Sequence, residues 1–125
     1  MDLELRDKIV IVTGGAKGIG AAAVRIFASE GAIPVIVGRS SETGSALLES
    51  IGASLPRGLM IETELTDVEA CQSAVEKTID CFGRIDVLFN NASSFYATPL
   101  EGSTQEHWDD LVDSNLRGAY FLSVA

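Results

Sequence analysis

A glycine-rich stretch between a strand pattern and a helix pattern constrains this chain more than any other feature. The stretch Thr13-Gly14-Gly15-Ala16-Lys17-Gly18-Ile19-Gly20 follows a predicted strand at Lys8–Val12 and leads into a predicted helix over Gly18–Ser29. This order places the first turn of the helix at the carboxyl end of the strand. The free N–H groups and the positive end of the helix dipole then face outward, so the stretch predicts a site for an anion.

Three of these glycines have separate predicted roles. Gly14 permits the sharp exit from the strand, Gly18 lets a phosphate approach the backbone, and Gly20 lets the helix pack closely on the sheet. The spacing G-x3-G-x-G is not a P-loop, because no Gly-Lys-Ser/Thr follows it. For this stretch taken alone, a tight turn that binds no ligand remains an alternative.

Strand and helix patterns alternate along the rest of the chain. The first helix is expected to pack inward through Ile19, Ala23, Ile26 and Phe27. Further strands are predicted at Ile33–Val37, Leu59–Glu62 and Ile85–Phe89. Further helices are predicted from Ser41, the expected cap, to Ile51, from the capping box Thr66-Asp67-Val68-Glu69 to Phe82, and from the capping box Ser103-Thr104-Gln105-Glu106 to the end.

Alternating strands and helices predict an α/β domain, a doubly wound parallel sheet with helices on both faces. Right-handed crossovers favour the strand order 3-2-1-4, with a ligand crevice at the carboxyl ends of strands one and four. We expect residues 1–125 to form a single domain. The uncapped apolar segment Tyr120–Ala125 gives the impression of a chain cut within its last helix.

Composition excludes several classes of function. The formal net charge is −9, from 18 acidic and 9 basic side chains, which argues against non-specific binding to nucleic acid or to an anionic membrane surface. No apolar run approaches the ~20 residues of a membrane span, and the acidic start Met1–Glu4 does not fit a signal peptide. Cys71 and Cys81 are expected roughly 15 Å apart on one helix, as reduced thiols of a cytoplasmic protein, and no metal site is predicted.

The glycine stretch, Leu65-Thr66-Asp67, Asn90-Asn91-Ala92 and Asn115 together resemble the short-chain dehydrogenase/reductases over essentially the whole chain. This resemblance implies a Rossmann-type fold and NAD(P)-dependent hydride transfer between the cofactor and an alcohol or carbonyl substrate, such as a sugar or a 3-oxoacyl compound. It also implies a homo-oligomer when the protein is intact. The resemblance implies that residues 1–125 correspond to the amino-terminal, cofactor-binding half of a family member. In the family, three more strands and their helices would follow.

The resemblance also implies which residues bind the cofactor. Arg39 follows the second strand, Gly38 stands where NAD-dependent members place an acid, and Lys17 adds positive charge, so NADP is expected and NAD remains open. Two solvated surface charges are the alternative. The residues expected at the cofactor are Gly14, Gly15, Lys17, Gly18, Ile19, Gly20, Arg39, Ser40, Glu64, Leu65, Asn91 and Ala92.

Two positions depart from the family pattern. Glu64 stands where the family usually has an Asp at the adenine edge, so an ordinary acid at a strand end is the alternative for it. Ser93 replaces the glycine of Asn-Asn-Ala-Gly. If position 93 needs a positive φ, the serine costs about 1 kcal/mol.

The resemblance makes Asn115 the catalytic Asn of the family, whose carbonyl anchors a water in a proton relay; a structural side chain bonded to the backbone is the alternative. The family's Tyr-x-x-x-Lys pair does not occur, since Tyr96 is followed by Leu100 and Tyr120 lies near the end. We therefore expect the 125-residue chain alone to be inactive. A non-catalytic nucleotide-binding or partner-docking module is the alternative function. No role is predicted for His107.

Overall fold

The computed structural model describes residues 1–125 and contains one four-stranded parallel sheet with the strand order β3-β2-β1-β4. This order and the helices on both faces confirm the predicted Rossmann-type sheet. Five helices accompany the strands, and a π-helical turn at Asp113–Arg117 joins the last two. The elements are β1 Ile9–Thr13, α1 Gly18–Ser29, β2 Ile33–Gly38, α2 Ser41–Ser50, β3 Leu59–Glu62, α3 Val68–Phe82, β4 Val87–Phe89, α4 Gln105–Val112 and α5 Gly118–Val124.

Alternate residues of β1 and β2 point to opposite faces of the sheet and build two cores. Val10, Val12 and Ile36 pack against α1 and α2 on one face. The other face carries Ile9, Ile11, Ile33, Val35 and Val37, which pack with Ile61 and with Ala74 of α3. Strands buried on both faces read as continuous apolar runs, which is why these two strands were visible in the sequence.

The bounds of α1 agree with the prediction, and Phe27 packs inward as predicted, but the inward placement of Ile19 and Ile26 is wrong. Gly20 and Val24 are the buried residues of this helix, whereas Ile19 and Ile26 are 77% and 61% exposed. The reason is the close packing of the helix start: a Cβ on Gly20 would lie 2.2 Å from the carbonyl oxygen of Gly14. Once Gly20 faces the sheet, residues one and two turns later, Val24 and Phe27, lie above it.

The helix caps also differ from the prediction. Asp67, not Thr66, caps α3 and accepts hydrogen bonds from the N–H groups of residues 69 and 70. Thr104 caps α4 by accepting from the His107 N–H, and His107 Nδ1 accepts in return from the Thr104 N–H. His107 therefore completes the capping box that the sequence assigned to Ser103 and Glu106. Before α2, Ser40 is the cap residue and makes no side-chain cap bond.

β4 begins at Val87, two residues later than predicted. The main-chain N–H of Asp86 donates to Ile9 O at 2.9 Å, and its side-chain Oδ2 accepts from the Ile9 N–H at 2.8 Å. The carboxylate thus takes the place of a main-chain acceptor at the start of β1. No helix in the structure combines the length and the apolar character needed to cross a bilayer.

Candidate functional site

A cleft of about 690 Å³ opens at the carboxyl ends of the strands. This volume lies in the range of roughly 300–1,000 Å³ that is usual for ligand pockets. Every residue predicted to bind the cofactor lines this cleft, except Gly20, which packs beneath it. The lining residues are Gly14, Gly15, Ala16, Lys17, Gly18, Ile19, Ile36, Gly38, Arg39, Ser40, Thr63, Glu64, Leu65, Thr66, Asn91, Ala92, Ser93, Ser94, Asp110 and Ser114.

The glycine turn forms one wall of the cleft. Gly14 and Gly18 have φ values of +65° and +54°, which favour glycine, and a Cβ on Gly18 would meet no atom within 4 Å. The backbone at Gly18 is therefore bare toward the cleft. Lys17, the cap residue of α1, makes no side-chain cap bond, and no acidic residue occupies the first turn. These features leave the helix N-terminus suited to a diphosphate.

Thr13 joins this wall to the end of β4. Its hydroxyl oxygen accepts hydrogen bonds from the N–H groups of Asn91 at 3.0 Å and Ala92 at 2.9 Å. The Asn91 side-chain amide in turn donates to Thr13 O at 3.1 Å. Asn91 thus braces the two strand ends, and its backbone borders the cleft. This role of Thr13 was not predicted, although a hydroxyl residue at the end of a buried strand was the available signal.

Ser93 does not have the strained backbone that its substitution for glycine suggested. Among non-glycine residues, only Glu4 and Asp7 have positive φ values. The condition for the expected cost of about 1 kcal/mol is therefore not met. Ser93 lines the cleft in an ordinary backbone conformation.

Charged side chains stand at the far rim of the cleft. Arg39 is exposed, and its Nη1 lies 3.9 Å from Oε2 of Glu64. The other carboxylate oxygen of Glu64 accepts from the Thr66 hydroxyl at 3.0 Å, which orients the side chain. Lys17 lines the same cleft. The sequence indicated only positive charge beside Arg39, and the structure adds a negative one, because Glu64, two residues after the end of β3, folds next to it.

Leu65 follows Glu64 and forms part of the cleft wall. Its carbonyl accepts a hydrogen bond from the Cys71 thiol at 3.6 Å. Burial raises the pKa of Cys71, and the nearby carboxylates of Asp67 and Glu64 raise it further. The thiol is protonated at neutral pH and supports the Leu65 backbone. Cys81 is exposed, and both cysteines are free, as expected.

Asn115 lies in the π-helical turn that separates α4 from α5. Its side-chain Nδ2 donates to Ser94 O at 2.7 Å and to Leu111 O at 2.8 Å, and its Oδ1 accepts from the Ser94 N–H at 3.1 Å. The sequence predicted an uninterrupted helix here. The helix is instead interrupted by the π-helical turn, and the amide of Asn115 fixes the loop after β4. A side chain that bonds to the carbonyl four residues earlier competes with the regular helical bond there.

The loop after β4 is also tied to α4 by Tyr96. The Tyr96 hydroxyl donates to Asp110 Oδ2 at 2.9 Å, and this bond to a carboxylate raises the pKa of Tyr96. The ring of His107 lies 6.0 Å from that of Tyr96 in an edge-on arrangement. Tyr96 is thus held protonated and has no lysine four residues later, so it does not replace the absent Tyr-x-x-x-Lys pair.

Comparisons with known proteins agree with this geometry. The family model described as short chain dehydrogenase matches residues 8–125. A protein named as a probable galactose dehydrogenase from Rhizobium meliloti is 38% identical over 98% of this chain and 48% of its own length. The galactitol 2-dehydrogenase of Agrobacterium fabrum is 32% identical over 98% of this chain and 47% of its own length.

A solved structure gives the same result. The 3-ketoacyl-(acyl-carrier-protein) reductase from Brucella melitensis, in complex with NADH, superposes with a TM-score of 0.86 at 27% identity, over 96% of this chain and 49% of that one. The chain thus spans about half the length of the relatives it matches. On its sheet order, its glycine turn and these matches, the chain belongs to the short chain dehydrogenase family.

Proposed function

We propose that this chain is the cofactor-binding half of an NADP-preferring oxidoreductase that transfers a hydride between the cofactor and an alcohol or carbonyl substrate. The observation that carries the proposal is the cleft, which brings the glycine turn, Arg39 and the end of β4 together. The nicotinamide cofactor supplies the hydride chemistry when it is bound. The cleft fits such a cofactor because the backbone of Gly18 is open to the cleft.

Each wall of the cleft has a proposed task. The N–H groups after Gly18 bind the diphosphate, and the backbone of Asn91 and Ala92 borders the riboses. Glu64 and Leu65 border the adenine. We further propose that Asn115 keeps the catalytic role that its family position implies. Its side chain meanwhile holds the loop after β4 through its bonds to Ser94, as the structural alternative expected.

The preference for NADP depends on charge at the rim. Gly38 offers no carboxylate at the end of β2, while Arg39 and Lys17 offer two cations to a 2′-phosphate. Glu64 opposes them, because its carboxylate lies 3.9 Å from the guanidinium of Arg39. We expect the cations to prevail, since a phosphate bound to Arg forms a bidentate, charge-assisted pair that is stronger than this long, exposed one.

A sugar or polyol is the first candidate substrate, and a 3-oxoacyl compound is the second. The names of the galactose and galactitol dehydrogenases support the first, and the name of the ketoacyl reductase supports the second. The chain alone is expected to bind cofactor without turnover, because it has no Tyr-x-x-x-Lys pair. We place the protein in the cytoplasm and expect it to be a homo-oligomer.

Titration of the chain with NADP and with NAD tests the proposal. The wild-type chain is expected to bind NADP more tightly than NAD, and Arg39→Asp to reverse the preference by weakening NADP at least about tenfold. Arg25→Asp changes an exposed α1 residue that does not line the cleft and is the matched control. An unchanged preference in Arg39→Asp would refute the role of Arg39, and binding of neither cofactor would refute the function.

A further inference from the structure

Gly118 is buried at the start of α5, directly after the π-helical turn. Its φ and ψ of −62° and −44° are ordinary helical values that any residue adopts. Alanine forms helices better than glycine, so nothing in the backbone conformation explains a glycine here. The explanation must lie in the space around its Cα.

That space is filled by the main chain of Leu65. A Cβ on Gly118 would lie 2.7 Å from the carbonyl oxygen of Leu65 and 2.9 Å from its Cβ. Both atoms belong to the backbone or start of the side chain, so no flexible end can rotate away. A methyl group at position 118 therefore displaces Leu65 or moves α5 outward.

A second contact restricts Leu65. The Cys71 thiol, which is fully buried, donates to the same Leu65 carbonyl at 3.6 Å. The Leu65 carbonyl oxygen thus contacts both α3, through Cys71, and α5, at Gly118. Its neighbours Glu64 and Thr66 are hydrogen-bonded to each other and line the cleft with it. A shift of Leu65 consequently moves this whole wall.

We infer that Gly118 is a positioning residue for the nucleotide: it contacts no ligand, but it sets the place of Leu65 and so the shape of the adenine side of the cleft. This inference rests on the proposed function. The inference distinguishes the two ends of the cleft, because the glycine turn that would bind the diphosphate lies between β1 and α1, whereas the three atoms nearest to a Cβ on Gly118 all belong to Leu65.

ADP and inorganic pyrophosphate form a matched pair of probes, since ADP adds the adenosine that would contact the Leu65 wall. In Gly118→Ala, affinity for ADP is expected to fall by about tenfold, while affinity for pyrophosphate stays within about twofold. Tyr120→Ala, an exposed position two residues along the same helix, is the control and should leave both affinities unchanged.

Cys71→Ala is a second, independent way to displace Leu65, because it acts from α3. It removes the thiol that supports the Leu65 carbonyl and is expected to weaken ADP by about threefold with pyrophosphate unchanged. This variant keeps the inference testable if Gly118→Ala does not fold. Circular dichroism identifies the folded variants.

The possible outcomes separate the inference from the proposed function. Equal ADP affinity in wild type and in the folded variants would overturn the positioning role, and so would a parallel loss of ADP and pyrophosphate, which indicates general destabilisation. Failure of the wild-type chain to bind ADP, NADP and NAD would instead overturn the proposed function and the inference with it. A fall in the affinity of the folded variants for ADP, with unchanged affinity for pyrophosphate, supports the inference and the proposed function.

Discussion

At the residue scale, the hydroxyl of Thr13 connects the two strand ends that frame the cleft. Thr13 is 2% exposed, and its oxygen is the acceptor for two main-chain N–H groups, at Asn91 and Ala92. Thr13→Val keeps the shape but leaves both donors without this partner. We expect a loss of about 1–3 kcal/mol in the free energy of unfolding, measured by urea denaturation.

Thr13→Ser is the matched variant, because it keeps the oxygen and removes only a methyl group. It should retain most of the stability that Thr13→Val loses. If the serine variant proves as unstable as the valine variant, packing of the methyl group and not the shared hydroxyl oxygen is what Thr13 contributes.

Asp86 predicts a dependence of stability on pH. The Ile9 N–H bond lowers the pKa of Asp86 from its ordinary value of 3.8, and the bond from Arg84 lowers it further. A carboxyl whose folded-state pKa is lowered stabilises the fold above its unfolded-state pKa, and this contribution disappears as the pH falls through the folded-state value. Asp86→Asn is expected to unfold more easily at pH 7 and to lose less stability than wild type on acidification below about pH 4.

Denaturation curves at several pH values between neutral and about pH 3 measure this difference. Asp80→Asn, on the exposed face of α3, is the control and should keep the wild-type pH dependence. A slope in Asp86→Asn equal to that of wild type would mean that other groups carry the acid sensitivity.

At the scale of elements, the sequence predicted those features that depend on local pattern. The continuous apolar runs gave β1 and β2, and their alternation with helices gave the strand order. The glycine turn and the ends of α1 followed from residue types that tolerate unusual backbone angles. Most of the residues that line the cleft could therefore be named in advance, because parallel strands bring their carboxyl ends to one edge.

The features that the sequence did not predict depend on contacts between distant segments. The Asp86 carboxylate binds the Ile9 N–H, ahead of the first residue of β4, only because the fold brings Ile9 opposite it. Glu64 lies beside Arg39 only because β2 and β3 pair. The π-helical turn at Asn115 accompanies bonds to Ser94, 21 residues earlier. No pattern within one helix or strand records such partners, so the start of β4, the π-helical turn and the second charge at the rim were missed. The caps of α3 and α4 were misassigned for a different reason, since their partners lie only two or three residues away and neighbouring residues offer similar side chains.

The turn between β1 and α1 gives a prediction in which two glycines behave differently. Gly18→Ala meets open space, so its cost in stability is about 1 kcal/mol for the positive φ, but its methyl group enters the cleft and should weaken NADP at least about tenfold. Gly20→Ala drives a Cβ to 2.2 Å from Gly14 O. It should destabilise the fold more, by up to about 3 kcal/mol.

Gly52→Ala is the matched control for Gly18→Ala. Gly52 has a φ of +68° and open space around its Cα, but it lies after α2 and does not line the cleft. It should lose a similar amount of stability and bind NADP as the wild type does. Similar NADP affinity in Gly18→Ala and Gly52→Ala would mean that no ligand approaches the backbone at residue 18.

At the scale of the whole molecule, the negative net charge and the positive groups in the cleft act on an anionic ligand in opposite directions. The net charge of −9 repels an anionic cofactor at long range, so binding must depend on local groups. Lys17, Arg39 and the N–H groups of α1 are the local groups in the cleft. Their effect acts at short range, where screening by salt is weak, whereas the long-range repulsion is screened beyond about 10 Å at 0.1 M salt.

Exposed apolar side chains along the segment from α4 to α5 are a second feature of the whole molecule. Trp108, Leu116, Tyr120 and Val124 are all at least 59% exposed, and Leu100 and Phe95 of the preceding loop are more exposed still. Trp108 and Leu116 line an additional cavity of about 450 Å³. Monomeric proteins rarely expose contiguous apolar patches of more than a few hundred Å². β4 adds an edge strand, since it pairs only with β1.

We therefore expect the chain to self-associate through this apolar surface. Sedimentation equilibrium over a dilution series should give an average mass above 13.2 kDa that falls on dilution. Trp108→Glu places a charge on this surface and should weaken association at least about tenfold. Ile26→Glu puts the same charge on an exposed apolar residue of α1 and should leave association unchanged. A constant mass of 13.2 kDa at every concentration, or equal weakening by both variants, would show that this surface does not bind another copy.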